Sequence, residues 1–148
     1  MSMREKIIKK VKQLMKKYGT NNPFELADEL GMEVFTHPLG NIKGVYKLIN
    51  RSKVIILNSD LDDYERVFVC AHELGHAIFH PKLNKYFIER YTLYSKDKYE
   101  NQANLFTAEL LLADVNEETC YGLTMDAIAA TYNIDKKFVE LKFRNGFE

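Results

Sequence analysis

His72-Glu73-Leu74-Gly75-His76 lies mid-chain, in a segment that opens with Asp62-Asp63-Tyr64-Glu65 and stops at Pro81. The opening is a helix start, because Asp62 can cap and Glu65, three positions on, can reach back to the cap. Pro81 ends the helix. His72 and His76 are four positions apart, so they project from one face, one turn apart. Two imidazoles so placed can close on a zinc ion with bonds of about 2.0–2.1 Å. Glu73 points beside the metal, where a carboxylate can take a proton from the water that the metal activates. The alternative is a helix with two hydrogen-bonded core histidines and a surface glutamate. Placement in a capped, apolar helix, with Glu73 among the core-directed positions, favours the metal site.

A catalytic zinc takes three protein ligands and leaves a fourth position to water. His80 is about 12 Å further along the axis than His72 and turned by roughly 80°, so an unbroken helix cannot bring both to one ion. The longer motif with a histidine ten positions after the first is excluded, because that position holds Lys82. His80 reads as a helix-end residue that faces the terminal carbonyls. Glu100 is the better third ligand. In a helix predicted from about Asp97 to Ala113, Glu100, Ala103, Asn104, Thr107, Leu110 and Leu111 share one face. A carboxylate and an amide on a packing face are costly unless paired or ligating. Glu100 as ligand, with Asn104 one turn later orienting a ligand histidine, removes that conflict. Asp97-Lys98-Tyr99-Glu100 also fits a capping box that would occupy the same carboxylate, but it leaves Asn104 without a role.

The flanks predict an α+β fold. A helix from about Met3 to Tyr18 carries Ile7, Val11, Leu14, Met15 and Tyr18 on one stripe, with lysines opposite and Gly19 at its end. Asn22-Pro23-Phe24-Glu25 starts a second helix, with Phe24, Ala27 and Leu30 facing inward. Short strands are expected at Met32 to Thr36, Gly44 to Ile49 and Lys53 to Leu57, the last two joined by an Asn50-Arg51-Ser52 turn. A connection rich in tyrosine (Tyr86, Tyr91, Tyr94) follows the motif helix. Two short helices, about Met125 to Tyr132 and Lys136 to Phe143, close the chain. No repeat or linker interrupts it, so residues 1–148 read as one domain.

Composition narrows the function. With 148 residues, 46% hydrophobic and 28% charged, the chain can bury a core. No apolar run approaches the ~18 residues of a membrane span. The basic start, Met1 to Lys17, has no continuous apolar stretch after it and is not a secretory signal. Two cysteines, Cys70 and Cys120, make no disulfide framework, which fits a cytoplasmic setting. Cys70 is turned about 200° from His72 and faces away from the metal. A net charge of +0 argues against direct nucleic-acid binding. The tail, Leu123 to Phe143, has a weak helix-turn-helix order with Lys136, Lys137, Lys142 and Arg144 nearby; packing on the core is the simpler reading. Tyr46, Tyr86, Tyr91, Tyr94 and Tyr99 could each donate to an oxyanion, and the sequence does not choose among them.

His72-Glu73-Leu74-Gly75-His76-Ala77-Ile78-Phe79-His80, followed by the run from Glu100 to Leu112, resembles the ImmA/IrrE family of metallopeptidases. That family shows H-E-L-G-H and then E-x-x-A-N-x-F-A-x-x-L-L. The resemblance extends to Gly44-Val45-Tyr46 and Ile55-Ile56-Leu57-Asn58 and covers about Asn22 to Phe143. Thr107 stands where the family usually has Ala, and Ala113-Asp114 replaces a common Met/Pro ending; neither touches a proposed ligand. The resemblance implies a zincin-like fold, zinc-dependent endopeptidase activity and the short, stand-alone phage or mobile-element type. It also implies a protein substrate, a helix-turn-helix transcriptional repressor, and hence an anti-repressor role.

The combined expectation is a small sheet packed on helices. His72, His76 and Glu100 hold zinc, Glu73 is the catalytic carboxylate and Asn104 supports a ligand. No membrane partner is expected. The alternative is a zincin-fold regulator that binds a protein without hydrolysis. Glu73 disfavours it, because a pure binder has no need of that carboxylate.

Overall fold

The computed structural model describes residues 1–83 and 98–143. Among these the elements run α1 (Met3–Tyr18), α2 (Pro23–Glu29), β1 (Glu33–His37), β2 (Gly44–Ile49), β3 (Ser52–Asn58), α3 (Asp63–Phe79), α4 (Lys98–Leu111), α5 (Met125–Tyr132) and α6 (Lys136–Lys142). Asp97, Tyr86, Tyr91, Tyr94 and Arg144 lie outside the described residues.

The expected α+β architecture is present. Ile7, Val11 and Leu14 form the buried stripe of α1, and Gly19 closes that helix in the left-handed region at φ 69°. Asn22 caps α2, its Oδ1 accepting the Phe24 N–H at 2.9 Å. The inward residues of α2 differ from expectation. Pro23, Leu26 and Ala27 are buried, while Phe24 and Leu30 are half-buried. This short helix is held between α3 and β1, so no single stripe describes it. Phe24 instead lies beneath the Arg66 guanidinium, 5.7 Å from its ring centroid.

The sheet has the order β1-β3-β2. β1 pairs parallel to β3 with Glu33 opposite Val54, and β2 pairs antiparallel with Ile49 opposite Ser52. The hairpin turn is two residues, Asn50 at φ 49° and Arg51 at φ 70°, so β3 begins one residue earlier than predicted. Positive φ at both positions matches the right-handed twist of the paired strands. Asn58, buried at the end of β3, donates from Nδ2 to the carbonyls of Gly40 and Ile42, each at 2.9 Å, and so fixes the approach to β2.

α3 carries the complete capping box: Glu65 N–H donates to Asp62 Oδ1 at 2.8 Å, and Asp62 N–H donates to Glu65 Oε1 at 3.3 Å. Its far end is tied to the sheet. Lys53 Nζ donates to the Ala77 carbonyl at 2.8 Å, and Tyr46 Oη donates to the Pro81 carbonyl at 2.7 Å.

α4 is buried nearly all round rather than on one face. Beside Glu100, Ala103, Asn104, Thr107 and Leu110, it also buries Leu105, Phe106, Ala108 and Glu109, because it packs on α1, α3 and α6. Leu112, Val115 and Cys120 join Ile128, Ala129, Val139 and Phe143 in a second apolar cluster under α5 and α6. Phe138 meets Phe68 of α3 edge to face at 4.5 Å. Arg4 donates to the carbonyls of Leu141 and Lys142 at 3.2 and 2.9 Å, which satisfies the end of α6. The tail helices therefore pack on the body of the protein. No described helix is long and apolar enough to cross a membrane.

Candidate metal centre

The site lies where α3 and α4 touch. Gly75 sits between the motif histidines, and a Cβ there would meet Phe106 Cδ1 at 3.2 Å and the Ala103 Cα at 3.3 Å. The missing side chain lets the α4 backbone settle onto α3. Glu100, three residues before Ala103, is thereby carried over the two imidazoles.

His72 Nε2 lies 3.0 Å from Glu100 Oε2, and His76 Nε2 lies 2.8 Å from Glu100 Oε1. The three ligand atoms are all within 4.8 Å of one another. His72, His76 and Glu100 are 1%, 1% and 3% exposed. Both Glu100 oxygens face imidazoles, so its carboxylate is turned into the core and not toward the helix start. Burial acts to raise the Glu100 carboxyl, but the hydrogen bonds and charges of His72 and His76 outweigh it and bring the group down to about 2. Two ring nitrogens and an ionised carboxylate converge in a dry site, in an arrangement that could hold a cation between them. Nitrogen and oxygen donors in this combination suit zinc. The residues therefore fit a metal. Among the described residues they are the one such group of His, Cys, Asp or Glu.

Glu73 is buried beside this cluster. Burial, with the Glu100 charge adding to it, pushes its carboxyl well above the usual carboxylate range. Its Oε2 has no hydrogen-bond partner among the described residues. Gly44, the first residue of edge strand β2, is close by: a Cβ on it would lie 3.3 Å from Glu73 Cγ and 2.5 Å from Val69 Cγ1. Asn104 is buried one turn beyond Glu100 on α4. Cys70 is fully buried, and burial followed by the Glu73 charge pushes its thiol up to about 12. Cys120 is in the second cluster, away from the histidines.

His80 corrects the sequence reading. Its backbone N–H donates to the His76 carbonyl at 2.7 Å, as suits a helix end. Its ring, however, turns into the site instead of toward the terminal carbonyls. His80 Nδ1 lies 3.0 Å from His76 Nδ1, and His80 Nε2 lies 2.6 Å from Gln102 Oε1. Gln102 was not singled out from the sequence. The available signal was that His80 follows His76 at the same four-residue spacing, one turn on, which puts its ring within reach of the His76 ring. Of the tyrosines, Tyr46 is engaged by the Pro81 carbonyl and Tyr99 sits edge-on to His80.

A helix bearing two imidazoles and a glutamate, closed by a carboxylate from the next helix and backed by a small sheet, defines a zincin-like metallopeptidase. A model of the IrrE N-terminal-like domain matches residues 27–144, and the chain belongs to that family of peptidases. It is 44% identical over 135 residues to "Uncharacterized immunity region protein 2" of Bacillus phage phi105, covering 89% of this chain and 85% of the relative. It is 32% identical over 137 residues to "Metallopeptidase ImmA" of Bacillus subtilis (strain 168), covering 90% and 81%. The family makes this chain a metallopeptidase with a protein substrate.

Proposed function

We propose that this chain is a zinc endopeptidase that cleaves a helix-turn-helix repressor in the cytoplasm, relieving repression of a phage or mobile element. His72, His76 and Glu100 hold the zinc, and Glu73 is the general base and acid. Asn104, one turn beyond Glu100, helps keep the ligand set in place. Residues 1–148 act as one unit. The observation that carries this reading is the convergence of His72 Nε2 and His76 Nε2 on the Glu100 carboxylate, with Glu73 buried alongside.

Zinc bound there supplies Lewis acidity, lowering the pKa of a water toward ~7 and polarising a peptide carbonyl. Glu73 accepts the water proton on its carboxylate as the new C–O bond forms, and donates it to the leaving amine nitrogen as the C–N bond breaks. A buried carboxyl holds that proton between the two transfers. The bare Gly44 lets β2 lie against Glu73 and limits the carboxylate's freedom. The immunity region named for the phage relative supports a repressor as substrate.

The test uses purified chain, zinc and a candidate helix-turn-helix repressor, taken from the genetic neighbourhood where one is encoded there. Glu73→Gln is expected to retain one zinc and to cleave at least about 100-fold more slowly. Glu100→Ala is expected to lose zinc. Cleavage by Glu73→Gln at the wild-type rate overturns the assignment. Release of the repressor from DNA that survives Glu73→Gln would point instead to a regulator acting by binding.

A further inference from the structure

Behind the metal-facing edge of His76 lie a ring and an amide that the proposed chemistry does not use. His80 Nδ1 is 3.0 Å from His76 Nδ1, and His80 Nε2 is 2.6 Å from Gln102 Oε1. A hydrogen bond between two ring nitrogens needs one N–H and one lone pair. An amide oxygen only accepts. His80 therefore carries its hydrogen on Nε2 and donates it to Gln102. Its Nδ1 is left with a lone pair, so the hydrogen shared with His76 belongs to His76 Nδ1. The 2.8 Å contact with the Glu100 carboxylate needs a second hydrogen on His76 Nε2 while no metal is bound; a metal takes the place of that hydrogen, and the ring then keeps Nδ1–H and presents its Nε2 lone pair. If the Gln102 amide turned its NH2 toward His80, every donor in the chain would reverse. His76 would then hold its hydrogen on Nε2 and could not ligate.

We infer that His80 and Gln102 are positioning residues that select the ring tautomer of His76 and so present its Nε2 to the metal. This rests on the reading of His76 as a ligand. The geometry is held from several sides. His80 is 6% exposed and the Tyr99 ring packs edge-on to it at 4.6 Å between centroids, which opposes ring rotation. Gln102 is on α4, two residues from Glu100, so the helix that supplies the carboxylate also anchors the far end of the relay. α3 and its cap supply the three histidines in register. Partners of this kind orient ligand histidines and raise their basicity.

The experiment measures zinc affinity by competition with a chromophoric chelator for wild type, His76→Ala, Gln102→Leu and Gln102→Glu. Ring tautomers are read from long-range proton–nitrogen correlation spectra of the zinc-loaded wild-type protein. Gln102→Leu is expected to weaken zinc about 10–100-fold, while Gln102→Glu, which keeps an acceptor oxygen, stays within about threefold of wild type. His80 is expected as the Nε2–H tautomer. Wild-type affinity in Gln102→Leu, or His80 protonated on Nδ1, overturns the relay and leaves the ligand reading standing. A wild type that takes up no zinc, or a His76→Ala that binds it as tightly, overturns the ligand reading and the relay with it. Gln102 is only half-buried, and the wild-type spectrum decides the tautomer independently of how any variant folds.

Discussion

Gly75 and Ala103 bring α3 and α4 to backbone contact, with 3.3 Å between the Ala103 Cα and the place a Gly75 Cβ would occupy. His72, His76 and Glu100 come from these two helices, so this closeness sets how far Glu100 stands from the two imidazoles. An unspecified position of the motif thus controls the site as directly as the named ones. Phe106, 3.2 Å from the same point, closes the contact from the apolar side.

Gly75→Ala separates the two consequences of that contact. Alanine favours the helix by about 1 kcal/mol, while overpacking costs about 1–3 kcal/mol. The net cost of about 0–2 kcal/mol is expected to lower Tm by no more than about 8 °C. Zinc affinity, which depends on where Glu100 sits, is expected to fall about tenfold or more. Chelator competition beside a melting curve reads both. Unchanged affinity would show that other contacts position Glu100.

The burial of Glu73 has a signature in the metal-free protein. Its carboxyl is raised in the fold, so the folded state resists ionisation that the unfolded chain accepts above about pH 4.3. Stability is therefore lost as pH rises from that value through the raised folded one. Gln does not titrate. Metal-free Glu73→Gln is expected to match wild type below about pH 4 and to melt higher at neutral pH, each kcal/mol reading as about 2–4 °C. Parallel melting curves from pH 4 to 8 would sink the prediction.

Glu100 ties the stability of the metal-free protein to acid. Burial acts to raise its carboxyl, but the hydrogen bonds and charges of His72 and His76 outweigh that and bring it down to about 2. Glu100 therefore contributes stability that is fully present above its unfolded value of about 4.3 and is lost as pH falls toward 2. Metal-free Glu100→Gln is expected to melt lower than wild type at about pH 6 and to approach it as pH falls from about 4 toward 2. A gap in melting temperature that stays constant over that range would sink the prediction.

Much of this was legible locally. The Asp62–Glu65 box, the Asn22 cap, the Gly19 stop and the shared face of His72 and His76 all involve residues within about one helical turn. Backbone geometry alone relates such residues, so spacing determines them. Glu100 and Asn104 stood out for a related reason: polar groups on a packing face need a partner. Tertiary structure decided who the partners are. It placed β1 parallel to β3 across a crossover, buried Leu26 where one stripe was expected, and enclosed α4 on nearly all sides. It also turned the His80 ring away from the helix end and onto His76 and Gln102. Periodicity sets the direction in which a side chain leaves its helix. What it meets there depends on the approach of another helix, and that approach was decided by the space left at Gly75.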